Sequence, residues 1–223
     1  SSLSAKQQQH TKIILESSRS LFQVLSDTMD LAELENGRVA VVADHFEFLD
    51  IINKVLNQMA PQAAAKGVEL VYALTKDIPK TLKVDEQKLR KLLCALISDS
   101  IKLTQNQHVF IQADLINARN DWGTLHFEIS HCGSESSKTY LQNIVSGDVI
   151  KNQENDYGKH GIGTSLAISR HLVSLFRGEI GGNSDDNNDT YCWVDIPVNS
   201  LKGTVPLNSN AGKCVYFQLA QVK

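Results

Sequence analysis

Few residues in this chain have types and spacings that could do chemistry. Gly161-Ile-Gly163 opens an apolar-periodic stretch that runs to Phe176. Paired glycines let backbone N–H groups approach a phosphate, and the N-terminus of a following helix favours an anion. The same glycines would serve equally as a plain loop-to-helix turn. Asp99 and Lys102 lie one turn apart on a second helical stretch, Glu86 to Leu103. A carboxylate suits a hard cation such as Mg²⁺, although two polar residues on an amphipathic helix are also what a solvated face requires. His131, Gly133 and Glu135 follow a strand-like run. A neutral histidine there can accept one hydrogen bond, or it can simply end the strand. The cysteines, Cys94, Cys132, Cys192 and Cys214, are far apart and form no C-x-x-C pair. That argues against zinc and thioredoxin-like sites. They are also too few for a disulfide scaffold, which points to a reducing compartment.

The elements that must position these groups are legible from periodicity and punctuation. Leu3 to Glu35 reads as one long helix, N-capped by Ser4 and stopped by Gly37, with Ile14, Leu21, Leu25 and Met29 on or beside its apolar stripe. Such a stripe needs a partner, either the rest of its own domain or another helix of a bundle or dimer. The β-branched run Arg38 to Ala43 reads as a strand, and Asp44 as the cap of a second helix ended by Gly67. Val68 to Leu74 and Thr81 to Val84 are extended. Asp85 caps the helix Glu86 to Leu103, whose Leu89, Leu92, Leu93, Leu96, Ile97 and Ile101 share one face. His108 to Asn117 and Thr124 to His131 alternate as two strands around the turn Asn120 to Gly123. The polar stretch 133–157 holds at most one turn of helix, Thr139 to Val145. Gly161 to Phe176 is helical. Glu179 to Gly182 and Thr190 to Pro197 are strands, and Cys214 to Leu219 is strand-like. This order predicts an α+β fold, one sheet with helices on one face. The domain boundaries expected are a helix over 1–37, an α/β body over 38–198, and a linker over 199–223 that starts another module or adds an edge strand.

Three stretches, taken together and in order, resemble the hybrid sensor histidine kinase family. Ser17 to Gly37 resembles the second dimerization helix. Val84 to Thr104 resembles the N-box helix, and Gly161 to Val173 the second glycine box. The resemblance covers about Leu3 to Val198. It implies the two-layer ATP-binding sandwich shared with gyrase and the Hsp90 chaperones, preceded by a dimerization-type helix. The chemistry it implies is Mg-ATP under a lid, with the γ-phosphate passing to a histidine.

The positions that carry that chemistry are altered. None of the seven histidines is followed by an acid, the pattern of a phosphoacceptor. In the resembling frame the two N-box asparagines become Ala95 and Asp99, with Lys102 kept at the phosphate-contacting place. Alanine has no ligand atom, whereas Asp99 could hold Mg²⁺. His131 replaces the adenine-binding aspartate and Glu135 replaces a glycine, while Gly133, Gly161 and Gly163 are kept. Losing several such contacts together removes on the order of 3–6 kcal/mol of nucleotide affinity. The pattern fits a pseudokinase, and the organisation resembles that of intermediate phosphotransfer proteins of the enterobacterial Rcs relay. The resemblance therefore implies no cofactor, with Mg-ATP only if the site is an active one with unusual ligands. Its implied partners are a sensor kinase and a response regulator, with self-association through the long helix. A third reading is an interaction module with a repurposed cleft.

Composition limits the other classes. The net charge of −3 offers no basic face for nucleic acid. No apolar run reaches the length of a membrane span. The resemblance implies as the setting the cytoplasmic region of an inner-membrane bacterial protein, with no membrane contact inside these residues.

Overall fold

A computed structural model of the chain describes residues 41–75, 78–105, 108–119, 121–133, 135–146, 162–185, 189–202 and 215–216, and in the N-terminal segment 4, 6–11, 14, 18 and 29. The chain divides into two compact units, Ser1–Ala40 and Val41–Lys223. In the first, residues 6–11, 14, 18 and 29 are helical. Ser4 caps them reciprocally with Gln7: Gln7 N–H donates to Ser4 Oγ at 3.3 Å, and Ser4 N–H donates to Gln7 Oε1 at 2.9 Å. Ile14 and Met29 of the expected stripe are 65% and 66% exposed. Leu21, Leu25 and Gly37 lie outside the described residues.

The second unit is built from β1 (Asp44–Glu47), α1 (Phe48–Lys66), β2 (Glu69–Leu74), β3 (Thr81–Val84), α2 (Glu86–Leu103), β4 (His108–Arg119), β5 (Trp122–Cys132), α3 (Glu135–Ser146), α4 (Ile162–Leu175), β6 (Glu179–Ser184), β7 (Asp189–Lys202) and β8 (Val215–Tyr216). The strands form one sheet ordered β1-β3-β7-β5-β4-β2-β8, with β6 paired to β7 beside this path. Only β2 and β4 run parallel among the paired strands described. On one face of the sheet, Val109, Ile111, Leu125, Phe127, Ile129, Val194 and Ile196 alternate inward and are buried. They meet the apolar stripes of α1 and α2 in a single core. Phe48 at the start of α1 stacks on Phe127 with ring centroids 6.1 Å apart.

Helix ends follow the sequence signals. Gly67 takes φ 70°, and its N–H and that of Val68 close on the Ala64 and Ala63 carbonyls. The Asp85 carboxylate accepts the Lys88 N–H at 3.0 Å.

Several boundaries differ from expectation. Val41 to Ala43 pair with no strand; the strand instead runs from Asp44 to Glu47 against β3, with Asp44 opposite Val84. The reason is that Asp85, besides capping α2, accepts the Val42 N–H at 2.9 Å. Val42 is left 67% exposed, while Phe46 packs on the core. Asp44 is therefore a strand residue, and Glu47 stands at the start of α1 without a side-chain cap. The β4–β5 turn is tighter than expected, because Arg119 still pairs with Trp122 after a register break at Asn117, which adopts φ 53°. The single expected turn at Thr139 is a 12-residue helix. Strand β7 continues to Lys202, since its far end pairs with β3 after its near end has paired with β6. The C-terminal β8 adds to β2 as an antiparallel edge, Val71 opposite Tyr216.

Candidate functional site

The sheet end formed by β5 and β7 meets α2, α3 and α4 around a buried polar cluster. His131 is the penultimate residue of β5, opposite Thr190 of β7. The odd-numbered residues of β5 face the core, so the alternation turns the imidazole inward, where it is 2% exposed. Its Nε2 lies 3.4 Å from the Ser137 hydroxyl on α3. Burial, with the Lys66 charge adding to it, pulls its pKa down to about 4. The ring is therefore neutral at physiological pH, and its Nδ1 finds no hydrogen-bond partner among the described residues.

Asp99 is placed in the same cluster by α2. Although it sits one turn from a polar residue, it is fully buried. The Tyr140 hydroxyl donates to its Oδ2 at 3.3 Å, and Lys102 Nζ lies 3.6 Å from Oδ1. Burial raises its pKa to about 7, against the opposing effects of Lys102, Ser165 and Tyr140. Tyr140 is itself raised well above the ordinary phenol value, by burial first and then by the Asp99 charge. Cys192 on β7 is pushed up to about 12 by burial and Asp99, and Cys94 to about 11 by burial. Neither thiol is a nucleophile at neutral pH.

Lys66, the last residue of α1, donates to the carbonyls of Ile101, Lys102 and Thr104 at 2.8, 2.6 and 2.9 Å. It thus caps the end of the helix that carries Asp99. Arg170 of α4 donates to the Asn143 and Ile144 carbonyls at the end of α3. These two cations clamp the helices over the sheet.

Of the residues marked from sequence, the structure brings Asp99, Lys102 and His131 to this region. Ala95 is half-buried one turn before Asp99, and Gly133 is buried just past β5. Glu135 begins α3 and Gly163 lies in the first turn of α4, while Gly161 lies outside the described residues. Ser137, Tyr140, Ser165, Thr190 and Cys192 are site residues that the sequence reading missed. Only the spacing of Tyr140, Leu141 and Ile144, all buried on one face of α3, carried a signal for one of them.

A cation at Asp99 would meet Oδ1, which has no hydrogen-bond partner among the described residues and lies 3.6 Å from Lys102 Nζ, and would require ionising a carboxylate that burial disfavours. An adenine amino group would have to reach a buried imidazole whose Nε2 is engaged with Ser137 and whose Nδ1 is unpartnered among the described residues. Among the described residues no three His, Cys, Asp or Glu side chains gather as a metal site, and no helix is long and apolar enough to cross a membrane.

No protein-family model matches the chain. Curated relatives do. The hybrid signal transduction protein dokA of Dictyostelium discoideum is 27% identical over 205 residues, 89% of this chain. The sensor histidine kinase GacS of Pseudomonas protegens is 26% identical over 88% of the chain, and the sensory/regulatory protein RpfC of Xanthomonas campestris 24% over 88%. The chain spans only 12%, 21% and 27% of these relatives' own lengths. Among solved structures, full-length ShkA, in complex with AMPPNP, superposes over 93% of this chain and 42% of its own, with a TM-score of 0.70 at 20% identity. The Acinetobacter baumannii histidine kinase AdeS gives 0.61 at 16% identity, over 86% of this chain and 83% of its own. The fold is that of these histidine-kinase structures, and the relatives by sequence include sensor histidine kinases and other hybrid signal-transduction and sensory proteins.

Proposed function

We propose that this histidine-kinase-like domain is non-catalytic and serves a phosphorelay by pairing with a partner kinase and positioning phosphotransfer modules carried elsewhere. The observation that carries this reading is the closed Asp99–Tyr140 contact, with His131 turned inward onto Ser137. Asp99 and His131, the groups expected to hold cation and adenine, are both buried where α2, α3 and β5 meet. The parent protein would be an inner-membrane intermediate phosphotransfer protein of the Rcs type, working between a sensor kinase and a response regulator. Its N-terminal helix, with Ile14 and Met29 exposed, would supply self-association. Calorimetric titration of ATP into the folded chain, with and without Mg²⁺, tests this. No heat up to millimolar ATP is expected. Micromolar, Mg²⁺-dependent binding overturns the proposal and makes Asp99 and His131 ligands of an active site.

A further inference from the structure

The inward residues of β4, β5 and β7 share a single core with all four helices of the second unit. The residues that alternate with them point to the other face of the sheet and are half-buried or exposed. Strand register sets these outward residues in rows. Asp114 of β4, His126 of β5 and Asp195 of β7 form one row, and Gln112, Glu128 and Trp193 form the next. From His108 to Ile116, from Trp122 to Cys132 and from Asp189 to Asn199 these strands contain no lysine or arginine. The open face is therefore acidic at its centre.

Part of this charge is already answered. His126 Nδ1 lies 2.5 Å from Asp195 Oδ1, and the Gln112 amide donates to Asp114 Oδ2 at 2.8 Å. Glu179, at the edge, shares a cleft with Arg177, which offsets it. Glu128 is in no ion pair among the described residues. Its cross-strand neighbour on β7 is Trp193. A Cβ at Gly181 would meet Trp193 ring atoms at 2.4 and 2.6 Å, so the indole lies across β6 where glycine leaves room for it. The indole stays half-buried, stacked beside His126 with ring centroids 6.3 Å apart. An indole next to a carboxylate suits an organic cation, which the ring attracts and the carboxylate pairs. Neighbouring strands are about 4.8 Å apart, which puts Asp114 and Asp195 on the order of 10 Å apart. That is too wide for one metal ion and fits cations carried along a chain.

We propose that this open sheet face, centred on Glu128 and Trp193, docks a basic segment of a partner protein. A guanidinium of the segment would rest on Trp193 and pair with Glu128, and a neighbouring cation would reach Asp114 or Asp195. Charge selects the occupant. A second copy of this chain would bring the same carboxylates, and a nucleic acid or anionic membrane would bring phosphates, so each of these is repelled.

The test titrates the full chain with hexa-arginine, the probe for a basic segment. The chain has two tryptophans, Trp122 and Trp193, so a Trp122→Phe background leaves Trp193 as the fluorescent reporter. A saturable change in its emission is expected. Asp114→Asn with Glu128→Gln should weaken binding by about fivefold or more. The control pair Asp50→Asn with Glu86→Gln removes the same charge from α1 and α2, and should weaken binding by less than about twofold. Glu128→Gln alone has no ion pair to lose in the fold, so it keeps the test valid if the double variant unfolds, and should weaken binding about threefold. An unchanged emission, equal weakening by the two pairs, full binding by Glu128→Gln, or the same response to hexa-glutamate would overturn the proposal.

Discussion

The buried pair of titratable groups makes a pH prediction with two opposite signs. Asp99 has its pKa raised to about 7 in the fold, against 3.8 for an ordinary aspartate. Between these values the folded state holds a proton that the unfolded chain has lost, so this group's contribution to stability falls as pH rises. His131 has its pKa lowered to about 4 from 6.5. There the unfolded chain holds the proton, so the contribution rises with pH. Each slope is about 1.4 kcal/mol per pH unit, and over pH 4 to 6.5 they oppose each other. Substitution of one group should expose the slope of the other. The difference in unfolding free energy between Asp99→Asn and wild type should climb from pH 4 towards pH 7, by roughly 4 kcal/mol in all. For His131→Gln the difference should fall across pH 4 to 6.5, by roughly 3 kcal/mol. Urea unfolding followed by circular dichroism at half-unit pH steps measures both, and taking differences removes the titration common to all three proteins. Variant and wild-type curves that run parallel would refute the burial of these two groups.

Two further outcomes test the packing around the cluster. Lys66→Met keeps the apolar stem but releases the three carbonyls it caps, and should cost about 1–3 kcal/mol in urea unfolding, whatever the nucleotide. Gly178→Ala sets a Cβ 2.2 Å from the Asp195 carbonyl oxygen, a backbone atom that cannot swing aside. It should lower the thermal midpoint by several degrees, corresponding to about 1–3 kcal/mol.

The body of the fold was legible because its helices carry their own punctuation. Asp85 caps and Gly67 terminates where the residue types require, and the α2 stripe from Leu89 to Ile101 is buried as its period implies. The strand after the first helix was misplaced because β-branched residues at Val41 and Val42 outweighed Phe46 in a local reading, whereas the choice belongs to Asp85, more than 40 residues away. The helix α3 was underread for a related reason. Its first turn is Glu-Ser-Ser-Lys, which carries no apolar period until Tyr140.

Asp99 marks the limit of such reading most clearly. From sequence it had two meanings, a cation ligand or a solvated polar residue, and both required water or a ligand at its oxygens. The structure gives it a tyrosine. Tyr140 comes from a helix 41 residues on, so neither the periodicity of α2 nor its net charge contains that partner. Once α3 is in place, its Tyr140 hydroxyl donates to one of the two carboxylate oxygens, Oδ2, across the seam between α2 and α3. An Asp99 variant and a Tyr140→Phe variant should therefore be coupled. Tyr140→Phe leaves Asp99 buried with one fewer donor, at a cost of about 1–3 kcal/mol in wild type. In the Asp99→Ala background, where no acceptor remains, the same change should be close to neutral or favourable. A double-mutant cycle by urea unfolding reads this coupling directly, and additive effects of the two substitutions would show that Tyr140 and Asp99 do not share a bond.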